Sequence, residues 1–113
     1  LANIINRTGE IMPDKSWGEL LSTYSPGLEA QNRADHDFLA TDGALSARER
    51  YLMAMLLDAV ANRPRGADGY GRKAVESGAT REQIVEALTV LRMFAGRPAL
   101  ATGCEALRQF EDR

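Results

Sequence analysis

One histidine and one cysteine hold most of the reactive chemistry open to this chain of 113 residues. His36, within Arg33-Ala34-Asp35-His36-Asp37, is the side chain whose ordinary titration falls near neutrality. Any nucleophilic triad of the usual kind would have to use it as base, so it is a catalytic candidate. The plainer role is a solvent-facing imidazole. Asp35 and Asp37 are its immediate neighbours and point elsewhere on a helix, while Arg33 and Asp37 stand at ion-pair spacing. Cys104 stands alone, which removes intrachain disulfides and any Cys-x-x-Cys redox pair. Together, one Cys and one His leave no zinc-type ligand cluster, so no metal and no cofactor is expected. Cys104 is most simply a small buried hydrophobe, and an antioxidant role for it is the weakest functional reading.

The cations offer a second kind of chemistry. Arg63 and Arg65 flank Pro64, and a guanidinium fork matches a carboxylate, so this pair could hold an anionic small molecule. Solvated charges favouring the C-terminal end of the preceding helix are the ordinary alternative. Arg48 and Arg50 open the next apolar segment as pocket cations or as first-turn surface charges, and Arg48 is retained as a substrate-binding candidate. Trp17 and Tyr24 could line a pocket for a flat ligand, but at helical spacing they read more simply as core, as do Met53, Met55 and Met93.

The elements that must position these residues read as helices. Residues 1–13 show no sustained period and no hairpin signal, and are expected as an extended arm ahead of a single helical domain over 14–113. Asp14 or Ser16 can cap a helix to about Tyr24, ended by Ser25-Pro26-Gly27. A polar stretch runs from Leu28 to Thr41. Ser46-Ala47-Arg48-Glu49 is a capping box, and the helix behind it, Tyr51 to Ala61, is apolar nearly all round except where Asp58 interrupts it. That pattern predicts the most buried helix of the fold. Asn62 to Gly66 reads as a break, with a short helix from about Asp68 to Ser77 stopped at Gly78. Thr80-Arg81-Glu82-Gln83 is a second capping box; Gly96 closes its helix and Pro98 opens a last one to about Phe110. The fold class is therefore all-α, a compact bundle of about six helices.

Composition narrows the partners. Lys+Arg 14 against Asp+Glu 16 gives a net charge of −2, without the basic stripe that nucleic acid requires. No apolar run approaches the ~20 residues of a membrane span. The residues from Leu1 show no signal-peptide pattern, so a cytoplasmic protein is expected.

Three stretches resemble the carboxymuconolactone decarboxylase / alkylhydroperoxidase D-like family. They are Leu45 to Met55, Arg72 to Glu86 with Glu76-Ser77-Gly78-Ala79-Thr80 at its centre, and Phe94-Ala95-Gly96-Arg97-Pro98-Ala99. The resemblance implies that family's helical fold, a pocket whose mouth carries Arg63 and Arg65, and assembly as a homo-oligomer, a trimer or a hexamer. It also implies a departure in chemistry. The positions of the peroxidase branch's two cysteines fall on Arg63 and Gly66, that of its histidine on Tyr70, and that of its glutamate on Tyr51. With the thiol relay replaced, thiol peroxidase activity is not expected.

The function expected is a cofactor-independent, decarboxylase-like lyase acting by proton transfer on a carboxylated, lactone-like or enolisable substrate. Tyr70, with Tyr51 or His36, would move the proton, and arginine would hold the anion. The alternative is a non-catalytic, oligomeric binding or structural member of the family.

Overall fold

A computed structural model of the protein describes residues 3–5, 11–13 and 15–111. The chain divides into two compact units, Leu1–Asp37 and Phe38–Arg113.

The first unit holds a short ribbon and most of two helices. Strand β1 (Asn3–Ile5) pairs antiparallel with β2 (Ile11–Pro13), with Ile4 opposite Met12. The arm is thus a small hairpin, contrary to the expectation of an unpaired extended segment. Strands of three residues are too short to display alternation, and Pro13 sits where an edge strand tolerates a missing donor. Helix α1 (Trp17–Tyr24) starts at Ser16, whose side chain accepts from the Glu19 amide while Glu19 reaches back to the Ser16 backbone. Asp14, the other cap considered, lies outside the described residues. Helix α2 (Pro26–Ala40) follows almost at once, with Pro26 at its first position. Its Arg33 pairs with Glu29.

The second unit begins in the last turn of α2. Helix α3 (Ala47–Val60) has the expected capping box, with Ser46 Oγ accepting from the Glu49 amide at 3.1 Å and the Ser46 amide donating to the Glu49 carboxylate at 2.9 Å. Helix α4 (Pro64–Glu76) begins four residues before the expected Asp68. Pro64 starts this helix rather than breaking one, since a first-turn proline gives up only an N–H that would have no helical partner. Helix α5 (Arg81–Gly103) opens on the Thr80–Gln83 capping box and is continuous except at Gly96, whose φ of 82° lies in the left-handed region. The expected closure at Gly96 is therefore a kink, after which Pro98 sits in the first turn of the resumed helix. A 3₁₀ helix (Cys104–Phe110) follows where a plain α-helix was expected.

Alanines and large aliphatics share the core: Ala47, Tyr51, Met55 and Ala59 on α3 face Ala67 and Ala74 on α4 and Ile84, Leu88 and Leu91 on α5. Helix α3 buries only this stripe. Its Met53, Leu57 and Val60 are exposed, so the helix is not covered on most sides as its composition suggested. On α5, Val90, Met93 and Phe94 are exposed as well, Phe94 by 85%.

Two glycines allow backbone approach in this core, with different tolerance. A Cβ on Gly71 would stand 2.7 Å from the Ala106 Cβ and 3.2 Å from the Met55 sulfur. A Cβ on Gly103 would stand 2.7 and 2.9 Å from the Cδ2 methyls of Leu88 and Leu91. Leucine tips can rotate aside, whereas the Ala106 Cβ moves only with its backbone. Gly71→Ala is expected to cost about 1–3 kcal/mol and Gly103→Ala less, since relief by the leucine tips joins the gain in helix propensity. Urea denaturation of the two variants checks the order.

Candidate functional site

The site is built on the reversal between α3 and α4. Asn62 takes a left-handed φ of 60°, a conformation Asn tolerates better than most residues. Its amide donates to the Ala59 carbonyl at 3.1 Å, and the Arg63 amide donates to the Asp58 carbonyl at 2.8 Å. These are the two hydrogen bonds of a Schellman ending. The Thr102 hydroxyl donates to Asn62 Oδ1 at 3.0 Å, tying the turn to the end of α5. Arg63 then serves directly as N-cap of α4, so the helices run antiparallel with no slack between them.

This hairpin sets two helical stripes against each other. Tyr51, Met55 and Asp58 stand at i, i+4 and i+7 on α3; Gly66, Tyr70 and Lys73 do the same on α4. The Tyr51 and Tyr70 rings stack with centroids 6.3 Å apart and planes 24° apart. The Lys73 ammonium stands 5.9 Å from the centre of the Tyr51 ring, within cation–π reach. At the turn end of the seam, a Cβ on residue 66 would lie 1.9 Å from Asp58 Oδ2, so only glycine admits the carboxylate as it stands.

The two tyrosines differ in environment. Tyr51 is 7% exposed and belongs to the core. Tyr70 is half-buried, and its phenol is held above the ordinary tyrosine range, first by desolvation, then by the negative charge of Asp58 and by Tyr51. A phenol so placed stays protonated through the neutral range and can donate a hydrogen bond.

The remaining expected residues are placed as follows. Arg63 Nη1 donates to Asp58 Oδ1 at 3.3 Å, so its charge is partly answered within the protein. Arg65 is exposed in the first turn of α4. Arg48 is half-buried in the first turn of α3. His36 is exposed on α2, in the first unit. Arg50 does structural work: its guanidinium donates to the carbonyls of Phe38 and Thr41 and lies 3.9 Å from the centre of the Phe38 ring. Cys104, a half-buried free thiol at the start of the 3₁₀ helix, borders a cavity of about 510 Å³ that Arg81 and Arg108 also line. Among the described residues no group of three or more His, Cys, Asp or Glu could hold a metal ion, and no helix is long and apolar enough to cross a membrane.

Residues 28–109, well over half of the chain, match the carboxymuconolactone decarboxylase family. The chain belongs to that family. A crystal structure of a carboxymuconolactone decarboxylase family protein from Legionella pneumophila, in its apo form, aligns with 81% of this chain and 82% of its own at 27% identity, with a TM-score of 0.72. A carboxymuconolactone decarboxylase candidate from Burkholderia xenovorans LB400 aligns with 84% and 75% at 23% identity and a TM-score of 0.71, a likeness of fold alone. No protein of curated function matches the chain. The carboxymuconolactone decarboxylase family match spans α3, α4 and their reversal.

Asp58 and Lys73 are seam residues that sequence reading passed over, and Gly66 entered it only as part of a break and as a position resembling a cysteine. Asp58 carried a signal, being the lone charge in an apolar run and seven residues beyond Tyr51. Gly66 and Lys73 become meaningful only once the antiparallel register is known.

The raised phenol has a thermodynamic consequence. The fold favours the neutral form of Tyr70, so this contribution is complete below the unfolded value of about 10 and is lost as pH rises through the folded value. Tyr70→Phe is expected to remove a phenolate transition lying above the ordinary tyrosine range in an ultraviolet titration. It should also flatten the fall in stability above about pH 10. Alkaline denaturation monitored by circular dichroism checks the second effect.

Proposed function

We propose that this carboxymuconolactone decarboxylase family member is a small-molecule enzyme of lyase type. It works by proton transfer from its own side chains on a lactone-like, carboxylated or otherwise enolisable substrate. The observation that carries this reading is the neutral, half-buried Tyr70 hydroxyl backed by the Tyr51 ring. Such a donor can stabilise an enolate oxygen or return a proton to a carbanion without reorganising when charge develops. Tyr51, rather than the exposed His36, is the group stacked on it. Arg65, exposed in the first turn of α4, is free to meet a substrate carboxylate, with Arg63 lending the charge that Asp58 leaves unanswered. Arg48 is a cation for a longer anion.

A second reading has its own support. Tyr51 is an integral core residue, as expected of a non-catalytic binding or structural member that kept the fold with two phenols as packing. The hydroxyls separate the two readings. Tyr70→Phe is expected to lower turnover of a small lactone or carboxylate hit by ~10²-fold with little change in melting temperature, and Tyr51→Phe to lower it less. Full activity in both variants would favour the binding protein.

The same proposal includes assembly as a homo-oligomer, a trimer or a hexamer. Apolar residues left exposed on two helices support it: Met53, Leu57 and Val60 on α3, and Val90, Met93 and Phe94 on α5. A groove of about 330 Å³ bordered by Phe38, Leu45, Met53 and Leu57 continues the first set. Patches of this kind are uncommon on monomers, and covering them gains ~25 cal/mol per Å² before association costs. Phe94→Glu is expected to shift the protein to monomers in light scattering at micromolar concentration. A wild-type protein that is itself monomeric would overturn the assembly proposal.

A further inference from the structure

Helix α5 carries a projecting ring and a groove side by side. Phe94 is 85% exposed, with Val90 and Met93 exposed beside it. Gly96 then kinks the helix, and directly beyond the kink lies a shallow groove of about 500 Å³ bordered by Arg97, Pro98, Leu100, Ala101 and Cys104. Its walls are apolar but for Arg97 and the Cys104 thiol. Arg97 is exposed and takes part in no hydrogen bond or ion pair among the described residues.

We propose that this face of α5 is a two-fold contact between copies of the chain. Phe94 of one copy enters the groove of the other, and the second Phe94 returns the contact. The proposal rests on the assembly put forward above and narrows it. Of a trimer and a hexamer, only a hexamer of paired trimers contains a two-fold axis of this kind.

Three features select a second copy as the occupant. First, ring and groove lie on either side of one kink, so an axis near Gly96 exchanges them and satisfies both at once. An unrelated partner would have to bring its own ring and its own groove. Second, the groove's single charge is complementary to what enters it. The negative face of an aromatic ring attracts an unpaired guanidinium, and Arg97 can meet the partner subunit's Phe94 while its charged head stays wet at the rim. Third, the area is of the right order. A ring 85% exposed offers about 130–210 Å², from the 150–250 Å² that an aromatic side chain can bury. Each copy covers its own ring and a similar area of groove wall, which is a third to a half of the roughly 800 Å² per copy in a stable interface. Val90 and Met93 extend the same surface. A central aromatic anchor with apolar neighbours and an arginine at the rim is also the composition that interface cores favour.

The single cysteine makes the contact testable, because Cys104 lies in the groove wall. Met93→Cys keeps the Phe94 ring and sets a second thiol beside it; Met93 is exposed, so the fold tolerates the change. The full chain carrying this substitution is treated with a short bis-maleimide at micromolar concentration and run on a denaturing gel. Covalent dimers are expected, joined from residue 93 of one copy to Cys104 of the other. The ladder should stop at dimers, because a two-fold contact closes on itself whereas a head-to-tail one continues. The wild type, and Met93→Cys combined with Cys104→Ser, should give no link. Adding Phe94→Ala should raise the concentration needed for linking by ~30-fold or more, as expected for loss of a central anchor. An oligomer in light scattering that gives no link, links that survive Cys104→Ser, or a ladder running beyond dimers would overturn the two-fold contact and leave the assembly standing. A monomeric wild type would overturn both.

Discussion

The close approach of α4 to α3 is the constraint from which the rest of the second unit follows. It requires small residues along one face of α4, and Gly66, Ala67, Gly71 and Ala74 provide them at i, i+1, i+5 and i+8. Where Gly71 meets Met55 and Ala106, a single added methyl has no free volume. Where Gly66 passes Asp58, the missing side chain is filled by a carboxylate. The Schellman turn at Asn62 fixes the register at one end, and the Tyr51–Tyr70 stack occupies it nearer the other. A slip of one residue between the helices would break the turn, the stack and the carboxylate's place together. The geometry is thus determined by packing before any electrostatic term enters.

Features written in local chemistry were legible in the sequence. The Ser46 and Thr80 capping boxes each need a hydroxyl and a Glu or Gln three residues on, and both form as read. The left-handed residues Gly78 and Gly96 mark a helix end and a kink where glycine alone is comfortable. Pro64 was ambiguous because proline both ends one helix and begins the next, and only the three-residue reversal decides that it begins one. The ribbon near the N-terminus escaped notice because two three-residue strands have no period to detect.

The site was legible only in part, for a related reason. Tyr51 and Tyr70 came into view through positions that resemble a relay in the family, and the fold does bring their rings together. Asp58 looked like a flaw in an apolar helix, since its role depends on which residue of a different helix lies opposite. Apolar composition misled in the same way for α3. A helix apolar on two faces can be buried twice within one chain or once within it and once between chains, and composition does not separate these cases. The exposed Met53, Leu57 and Val60 are a face for which the described residues supply no cover.

The residues of the seam make physical sense as a set. Tyr51 and Tyr70 stack within the seam, and a phenol tolerates burial better than a carboxylate would. Gly66 leaves the start of α4 without a side chain, and the Asp58 carboxylate occupies that volume. Arg63 supplies the cation beside this shielded carboxylate, since a partly buried charge needs a partner. At the turn end of the seam, glycine, carboxylate and guanidinium thus answer one another in space and in charge. The packing of α3 against α4 stays as the glycines and alanines dictate.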